Sequence, residues 1–475
     1  MTPKKKVYVG KVDVRLYRKW LSIIPVVAAA IKLVIVLRIP PIAWPSIDSG
    51  LYRLDKFWLG ADGENYVTGL TGLFADGVFS DVERLTYFPA GYPLLMYFVT
   101  FWSQAWSLPV IAIVQTVFYA AASIYFVNKI IETRLVRFAP PVALILALNP
   151  TLSLSSYAIG YESPVAGLLL IVVGLMVTDF KKRNQRFLSR EVILAAILLS
   201  LVSFLQPRMV VTAVLFFAFW GLATRSIGNS SAMLVITLVI TLVMPASLYA
   251  RNVIARDIPA VSTNLGTTIF IGVGPEATGG YNGKYNGVPC PEAVGTEVAI
   301  DNAKVRCALR WYLDNPIRTL ELSAKKAIFF WSPWFGPVAN GTMARNPWNQ
   351  NHPLRSTVQT QEGYDFVYGT LGKVISWAWL LGSLFFLGLG FWVLWRLNGV
   401  ERLLGIILLG IIFINMFVSM ATIGDHRFRL PTAGLSLFLQ AIGLVWTFGK
   451  GKKRVIGSEE KLLWKSFSRT TNLTT

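Results

Sequence analysis

The acidic residues near the start of this sequence are the first group whose type and spacing could support chemistry. The chain has a formal net charge of +20, yet seven of its 25 acidic residues fall between positions 48 and 83. They are Asp48, Asp55, Asp62, Glu64, Asp76, Asp81 and Glu83. A carboxylate placed in this way could act as a general base. Asp62 also precedes a short amphipathic stretch, and spacing alone favours a simpler role as the N-cap of that helix.

Further charged residues stand at the ends of apolar segments later in the chain. They are Glu162, Arg208, Arg251, His426, Arg427 and Arg429. Arginines at the edge of a membrane usually anchor the protein by extending towards the polar headgroups, and that is the default interpretation of most of them. If they share one face with Asp62, however, an acid opposite several guanidinium groups suits a phosphate-bearing substrate, because arginine binds phosphate with two N–H groups at once.

The elements that must position these residues are membrane-spanning helices. Hydrophobic residues make up 54% of the 475 residues, in continuous runs rather than alternating ones. Runs of about 17–25 apolar residues match the thickness of a bilayer, where only helices and closed barrels satisfy their backbone groups. The basic clusters at 4–6, 181–186 and 450–454 flank such runs, as expected of cytoplasmic loops, and this argues against a nucleic-acid partner. The sequence therefore predicts an all-α polytopic membrane protein.

The charge distribution also predicts how the chain crosses the membrane. If 88–106 crossed, the basic segments 128–137 and 181–186 would lie outside, so we expect 88–106 to lie along the outer interface. The first apolar run lacks a convincing cleavage site and is expected to remain as a span. Ten spans with both termini in the cytoplasm follow: 20–39, 108–128, 139–158, 162–178, 191–207, 209–224, 231–250, 371–396, 402–423 and 429–448.

This topology divides the chain into five regions. They are a basic cytoplasmic N-terminus (1–19), an N-terminal transmembrane module (20–250) with an extracytoplasmic loop (40–107), a large extracytoplasmic loop (251–370), C-terminal spans (371–448) and a basic cytoplasmic tail (449–475). The inner loops are short, so any chemistry faces outward. A helical stretch is expected at 296–331. Cys290 and Cys307 both fall in the large outer loop, where a disulfide is expected, the alternative being two free thiols.

Five stretches, in this order along the chain, resemble those of a known family. They are "DGENYVTGLTGLFADGVFSD" (62–81), "TYFPAGYPLLMYF" (86–98), "NPTLSLSSYAIGYESPVAGLLL" (149–170), "RNVIARDIPAVSTNLGTTIFIGVGPEATGGY" (251–281) and "DHRFRLP" (425–431). The chain resembles polytopic glycosyltransferases of the GT-C fold, in particular the bacterial relatives of the protein-mannose and aminoarabinose transferases (glycosyltransferase 39-like). Ala90 and Phe428 depart mildly from the family's motifs.

The resemblance implies a multi-pass enzyme of the cell envelope, situated in the plasma membrane as in bacteria, with its active site facing outside. It would move a sugar from a polyprenyl-phosphate-linked donor to an extracytoplasmic acceptor such as a glycan, lipid or protein, with inversion. Asp62 would be the base, with Asp55 and Asp48 as alternatives. The proposed phosphate contacts are Arg251, Arg427 and Arg429, with Arg208 and His426, and the proposed acceptor-side residues are Glu162, Glu64 and Tyr66. No cofactor is required, and the question of a divalent metal stays open.

Two other classes of function remain as alternatives. A transporter or flippase of a lipid-linked saccharide would also need many spans, and an assembly partner without catalysis would need no base. Transporters tend to carry ionisable groups near the middle of the membrane, often in repeated halves. Here the acids lie mostly in loops and no repeat is visible. Lys32, in the first span, is an isolated exception that is either lipid-facing or paired.

Overall fold

A computed structural model describes most of the chain. The described residues are 8–9, 12–38, 51–52, 58–59, 62–149, 152, 155–182, 188–281, 287–333, 337–338 and 360–448. The main helices are α1 (Val14–Arg38), α2 (Gly63–Asp76), α3 (Arg84–Tyr87), α4 (Gly91–Thr100), α5 (Ser107–Ile131), α6 (Ala139–Leu148), α7 (Glu162–Lys182), α8 (Arg190–Leu205), α9 (Met209–Thr224), α10 (Ile227–Arg256), α11 (Leu265–Ile271), α12 (Glu297–Asp314), α13 (Pro316–Trp331), α14 (Gln361–Tyr368), α15 (Thr370–Leu397), α16 (Gly399–Ala421) and α17 (Leu430–Phe448).

The predicted all-α membrane fold is confirmed. Among the described residues, six helical segments are long and apolar enough to cross a membrane: α5, α7, α10, α14 with α15, α16, and α17 with the turn before it. Helix α1 has 25 residues and contains nearly all of the predicted first span, but it begins six residues earlier, at Val14. Helices α8 and α9 have 16 residues each, about 24 Å, and therefore fall somewhat short of a hydrocarbon core of about 30 Å.

The segment predicted to lie at the interface does not form a spanning helix. Helix α4 has ten residues, about 15 Å, which is too short to cross. It packs against α2, α5 and α8. Phe98, Phe101 and Trp102 are exposed at its end, as expected of aromatic side chains at a membrane surface.

One predicted span differs from the structure. The expected helix over 139–158 ends at Leu148, and Ala158–Ile159 form instead a two-residue strand, parallel to a second strand at Trp58–Leu59. Residues 155–161 are all buried. Extended backbone at membrane depth is tolerated only where protein surrounds it and satisfies its hydrogen bonds. The predicted span therefore contains a half-length helix and, at 155–161, buried non-helical backbone that includes the short strand Ala158–Ile159.

Polar side chains of neighbouring helices donate hydrogen bonds to backbone and side-chain oxygens of this buried segment. Gln115 Nε2 donates to the carbonyl of Ala158 at 3.1 Å, and Thr116 Oγ1 donates to that of Ser156 at 3.3 Å. Lys32 Nζ donates to Ser156 Oγ at 3.1 Å. The structure thus settles the position of Lys32, which is buried in the bundle and does not face lipid.

Ion pairs mark one end of the bundle. Glu132, at the end of α5, accepts from Arg18 at 2.9 Å and from Lys181 at 3.0 Å. These contacts bring together the start of α1 and the ends of α5 and α7, as the charge-based topology requires. We call this the inner end, following that prediction, and the opposite end the outer end.

Helices α11, α12 and α13 belong to the predicted outer region. The helical stretch expected at 296–331 is present as α12 and α13, separated at Asn315. Cys290 and Cys307 form the expected disulfide, which ties the segment before α12 to the helix itself.

Candidate functional site

The site is organised around Arg427, which bridges two carboxylates at the outer end. Its Nη2 forms an ion pair with Asp62 Oδ2, and its Nε lies 2.5 Å from Glu162 Oε1. The three side chains come from the loop before α2, the start of α7 and the turn before α17. The side chains of Arg427 and Glu162 are 7% and 10% exposed, whereas that of Asp62 is 21% exposed. Asp62 is therefore the member of the cluster most open to a ligand.

Asp62 does not act as a helix cap. It occupies the residue before α2, but its side chain makes no hydrogen bond to the first turn of that helix. The N-cap interpretation that spacing favoured is therefore wrong. Helix α2 holds Asp62 in place because its apolar face, which includes Tyr66, Leu70 and Leu73, is buried.

A short 3₁₀ turn, His426–Arg429, presents Arg427 to the carboxylates. Asp425 Oδ1 accepts from the backbone N–H of Arg427 at 2.9 Å, and Asn415 Nδ2 donates to the carbonyl of Phe428 at 2.8 Å. Asp425 was not among the site residues predicted from the sequence. The signal that could have found it is its position as an N-capping residue directly before the basic motif. His426 is fully buried, with Nδ1 3.5 Å from Asp425 Oδ1, so it offers no surface to a ligand in this conformation.

The turn before Arg427 is joined to the large outer loop. The N–H of Gly424 donates to the carbonyl of Gly279 at 2.8 Å, and a Cβ at Gly424 would lie 2.5 Å from Cα of Lys326. Only glycine allows the two backbones and α13 to approach this closely. The "ATGGY" part of the outer loop therefore lies directly against the segment that carries the site.

Glu162 is held by a second glycine and by tyrosines. A Cβ at Gly160 would collide with Glu162 Oε2, and the Gly160 N–H donates to Tyr92 Oη at 2.9 Å. The guanidinium of Arg427 lies 5.7 Å from the ring centre of Tyr161, whose hydroxyl accepts from Gln206 Nε2 at 2.9 Å. Tyr161 and Gln206 were also missed, because their importance depends on a contact between distant segments.

Arg208 lies beside this cluster with unused hydrogen-bond donors. Its guanidinium stacks 3.8 Å from the ring centre of Phe428, and it interacts electrostatically with Glu162 and Asp425. Its Nε and Nη2 are buried and have no hydrogen-bond partner. Buried donors are normally paired, so these N–H groups mark a place where an anionic or polar ligand would be stabilised.

Arg251 and Arg429 have structural contacts that the sequence did not predict. Arg251 donates to the main-chain carbonyls of Val78, at 3.1 Å, and Ser80, which holds the loop after α2. Arg429 donates to the carbonyls of Trp331 and Ser332, at 2.7 and 3.2 Å. Their guanidinium groups thus bind carbonyls of the fold, and the contact of each with phosphate stays a prediction.

The remaining predicted residues lie close to Asp62 in sequence. Tyr66 is buried, with its ring 5.0 Å from that of Tyr92. Burial, and to a lesser extent the charge of Asp62, raises its pKa well above the usual value, so it stays protonated. Glu64 is half-buried in the first turn of α2, and within the described residues its carboxylate has no ion pair with the cluster. Asp48 and Asp55 lie outside the described residues.

A metal site is not indicated by the described residues. No three His, Cys, Asp or Glu side chains in this part of the chain are grouped as ligands. Asp62 and Glu162 instead share a guanidinium, which places a fixed positive charge between the two carboxylates.

Comparison with known proteins gives similarity in structure alone. No protein-family profile matches the chain, and no curated protein sequence matches it. The structure is similar to that of the archaeal oligosaccharyltransferase AglB from Archaeoglobus fulgidus, solved with an inhibitory peptide and a dolichol-phosphate, with 14% identity and a TM-score of 0.48 over 96% of this chain and 52% of that chain. The apo form of the Archaeoglobus fulgidus oligosaccharyltransferase gives 15% identity and a TM-score of 0.48, over 95% of this chain and 52% of that chain.

The chain thus spans about half the length of the solved structures it matches. The likeness is one of helical architecture alone. It does not extend to an activity, so the functional argument rests on the side chains of the site.

Proposed function

We propose that this protein is a membrane glycosyltransferase that moves a sugar from a polyprenyl-phosphate-linked donor to an acceptor outside the cytoplasm. The observation that carries the proposal is the meeting of Asp62 with Arg427 and Glu162, beside the unpaired N–H groups of Arg208. This arrangement puts the accessible carboxylate of Asp62 near N–H groups of Arg208 that suit an anion. The resemblance in five stretches of sequence supplies the sugar and the lipid carrier.

The chemistry assigned to these residues needs one base and one anion-binding group. A phosphate is a good leaving group and requires no proton, so a single carboxylate is enough, and Asp62 accepts the proton of the incoming hydroxyl or amine. Arg208 stabilises the charge that develops on the departing phosphate, while Arg427 fixes the position of Asp62. Direct displacement at the sugar carbon inverts its configuration. Glu162 orients Arg427 rather than reacting itself.

A transporter of lipid-linked saccharides is the second candidate, and one observation favours it. The half-length helix α6 followed by an extended segment resembles the broken helices of transporters, with Lys32 close by. In transporters such segments line a water-filled cavity. Here residues 155–161 are buried and hydrogen-bonded within the bundle, which favours the enzyme.

The direct test is Asp62→Asn, assayed for release of the polyprenyl carrier from a panel of polyprenyl-linked sugars. Asparagine keeps the size of the side chain but is not a base, so we expect transfer to fall by about 10²–10⁴-fold. Unchanged transfer would remove Asp62 from the proposed role. Asp76→Asn, an exposed carboxylate at the end of the same helix, is the matched control and should retain activity.

The same preparation separates the two candidates. The purified wild-type protein in proteoliposomes should release the carrier from at least one donor, and Asp62→Asn should keep its folded elution profile while losing that release. Movement of the intact lipid-linked saccharide across the bilayer, without cleavage and without dependence on Asp62, would favour the transporter.

A further inference from the structure

Helices α12 and α13 expose a continuous apolar surface, which we name the apolar stripe: Leu309 and Leu313 on α12, and Ile317, Leu320, Ala324 and Ile328 on α13. The side chains at its centre are strongly exposed, at 80% for Leu313, 83% for Ile317 and 72% for Leu320. Spacings of three and four residues place the α13 members on one side of that helix. An apolar surface of this kind on an otherwise folded region marks an interaction site.

The opposite side of α13 is covered by the protein itself. Leu322 is buried against Ala277, and Arg318 Nη2 donates to the carbonyl of Ala277 at 3.2 Å. The loop from Pro275 to Gly279 therefore follows one side of the helix, while the apolar stripe lies on the other. Among the described residues, burial of α13 against the rest of the fold does not account for the stripe.

The position of α12 identifies the surface that this stripe faces. Arg256, the last residue of α10, pairs with Glu297 at the start of α12 at 2.7 Å. Near the end of α12, Tyr312 Oη donates to the carbonyl of Ala421, the last residue of α16, at 3.3 Å. Helix α12 therefore runs from the outer end of one spanning helix to the outer end of another, along the membrane surface.

The stripe is also close to an exposed apolar surface of a spanning helix. Helix α13 packs against α16, which exposes Phe413 and Phe417 in its outer half. The exposed Arg306 lies one turn before Leu309 on α12, and a long basic side chain of this kind extends from an apolar surface to lipid phosphates.

From this arrangement we infer that the apolar stripe of α12 and α13 docks on the outer leaflet of the bilayer. Its side chains enter the boundary between headgroups and acyl chains, at a depth of about 5–10 Å. Helix α9 packs against both α10 and α16, the two helices that α12 connects at their outer ends. Arg208 directly precedes α9, so we place it between those two helix ends. The docked helices then border the route by which a membrane-borne ligand reaches the site. The docking itself is independent of the proposed reaction.

Fluorescence quenching in lipid nanodiscs tests the docking with the full-length protein. Leu313→Cys and Leu320→Cys, each labelled with an environment-sensitive dye, are compared with Glu276→Cys, which is exposed on the loop that follows the other side of α13. The native cysteines are joined in a disulfide and remain unlabelled without a reductant. With lipids brominated near the start of the acyl chains, we expect strong quenching and a blue shift at 313 and 320, and neither at 276.

Three outcomes would overturn the inference. Equal quenching at all three positions would show no preferred docking face, and quenching of 313 and 320 by aqueous iodide but not by brominated lipid would place the stripe in solvent. Shielding from both, with two copies per nanodisc, would assign the stripe to a second copy of the chain. Leu320→Glu with the dye at 313 provides a second check, because a charge in the stripe should reduce the lipid quenching while the helical content stays unchanged.

Discussion

Arg427 connects two carboxylates that are far apart in the chain, and this makes it the most sensitive residue of the site. It pairs with Asp62 and Glu162 while being almost fully buried. Removing one partner of a buried ion pair leaves a charge without compensation and costs about 3–5 kcal/mol. Asp62→Asn also removes a charge, but Arg427 keeps its pair with Glu162 and the asparagine oxygen can still accept from its Nη2, so the fold should tolerate this change better than a truncation. Arg427 itself is a poor choice for separating catalysis from folding.

Arg208 gives the prediction that belongs to the residue scale. Arg208→Ala should lower the rate of carrier release by about 10²–10³-fold, because a positioned donor to the departing phosphate is lost. Arg208→Lys should recover part of this loss, since the charge remains but the planar stack on Phe428 does not. Steady-state kinetics with a polyprenyl-linked donor measures both.

The control for Arg208 is a second arginine at a membrane edge. Arg396 is exposed near the inner end of α15, over the ring of Trp392, so Arg396→Ala should leave the kinetics unchanged. If Arg208→Ala behaves like Arg396→Ala, then Arg208 is an anchor and the anion site must be sought elsewhere.

The sequence predicted some members of the cluster and missed others for identifiable reasons. Asp62, Glu162 and Arg427 could be selected because each stands at the outer end of a predicted element. Arg251 shares that position, yet it binds the carbonyls of Val78 and Ser80, since which partner an arginine finds depends on loop conformation.

At the scale of the elements, hydropathy located the helices but not where each one ends. The predicted span 139–158 is apolar throughout most of its length, but Asn149 ends the helix by accepting from the N–H of Leu152 at 2.9 Å, and Pro150 follows it. A residue before proline is disfavoured in the helical region. That local signal was present in the sequence. What no local pattern contains is the set of partners, such as Gln115 and Thr116, that makes buried extended backbone tolerable.

The packing of α13 against the turn at Gly424 predicts a pH dependence of stability. Burial lowers the pKa of Lys326 to about 7, with its ammonium 2.8 Å from Tyr312 Oη. In the unfolded chain a lysine has a pKa of about 10.4. Between these values the unfolded state binds more protons, so the free energy of unfolding should rise with pH above about 7, while at lower pH the full penalty for a buried charge remains.

Thermal unfolding in detergent between pH 6 and pH 9.5 checks this dependence. Lys326→Met removes the titrating group and should flatten the rise, whereas Lys325→Met, in which the neighbouring and more exposed lysine is replaced, should retain it. A rise that persists in Lys326→Met would assign the pH dependence to another group.

At the scale of the whole molecule, two sets of charged contacts fix the relative direction of the helices. Arg18, Glu132 and Lys181 meet at one end, and Asp62, Glu162 and Arg427 meet at the other. Helix α7 joins the two sets, because Glu162 begins it and Lys181 lies in its last turn. The charge-based topology required this pattern, since the basic loops had to share one side and the candidate site the other.

Labelling of single cysteines in intact cells or sealed vesicles tests which side each end faces. Arg134 is exposed near the inner end and Glu276 in the outer region, so Arg134→Cys should react with a membrane-impermeant maleimide only from the cytoplasm, and Glu276→Cys only from outside. The Cys290–Cys307 disulfide leaves no free native thiol to compete. Positive charges favour the cytoplasmic side because they resist translocation, which gives the expected direction. Reaction of Arg134→Cys from outside would show that the protein has the opposite orientation and that the candidate site faces the cytoplasm. Labelling of both positions from the same side would contradict their placement at opposite ends of the bundle.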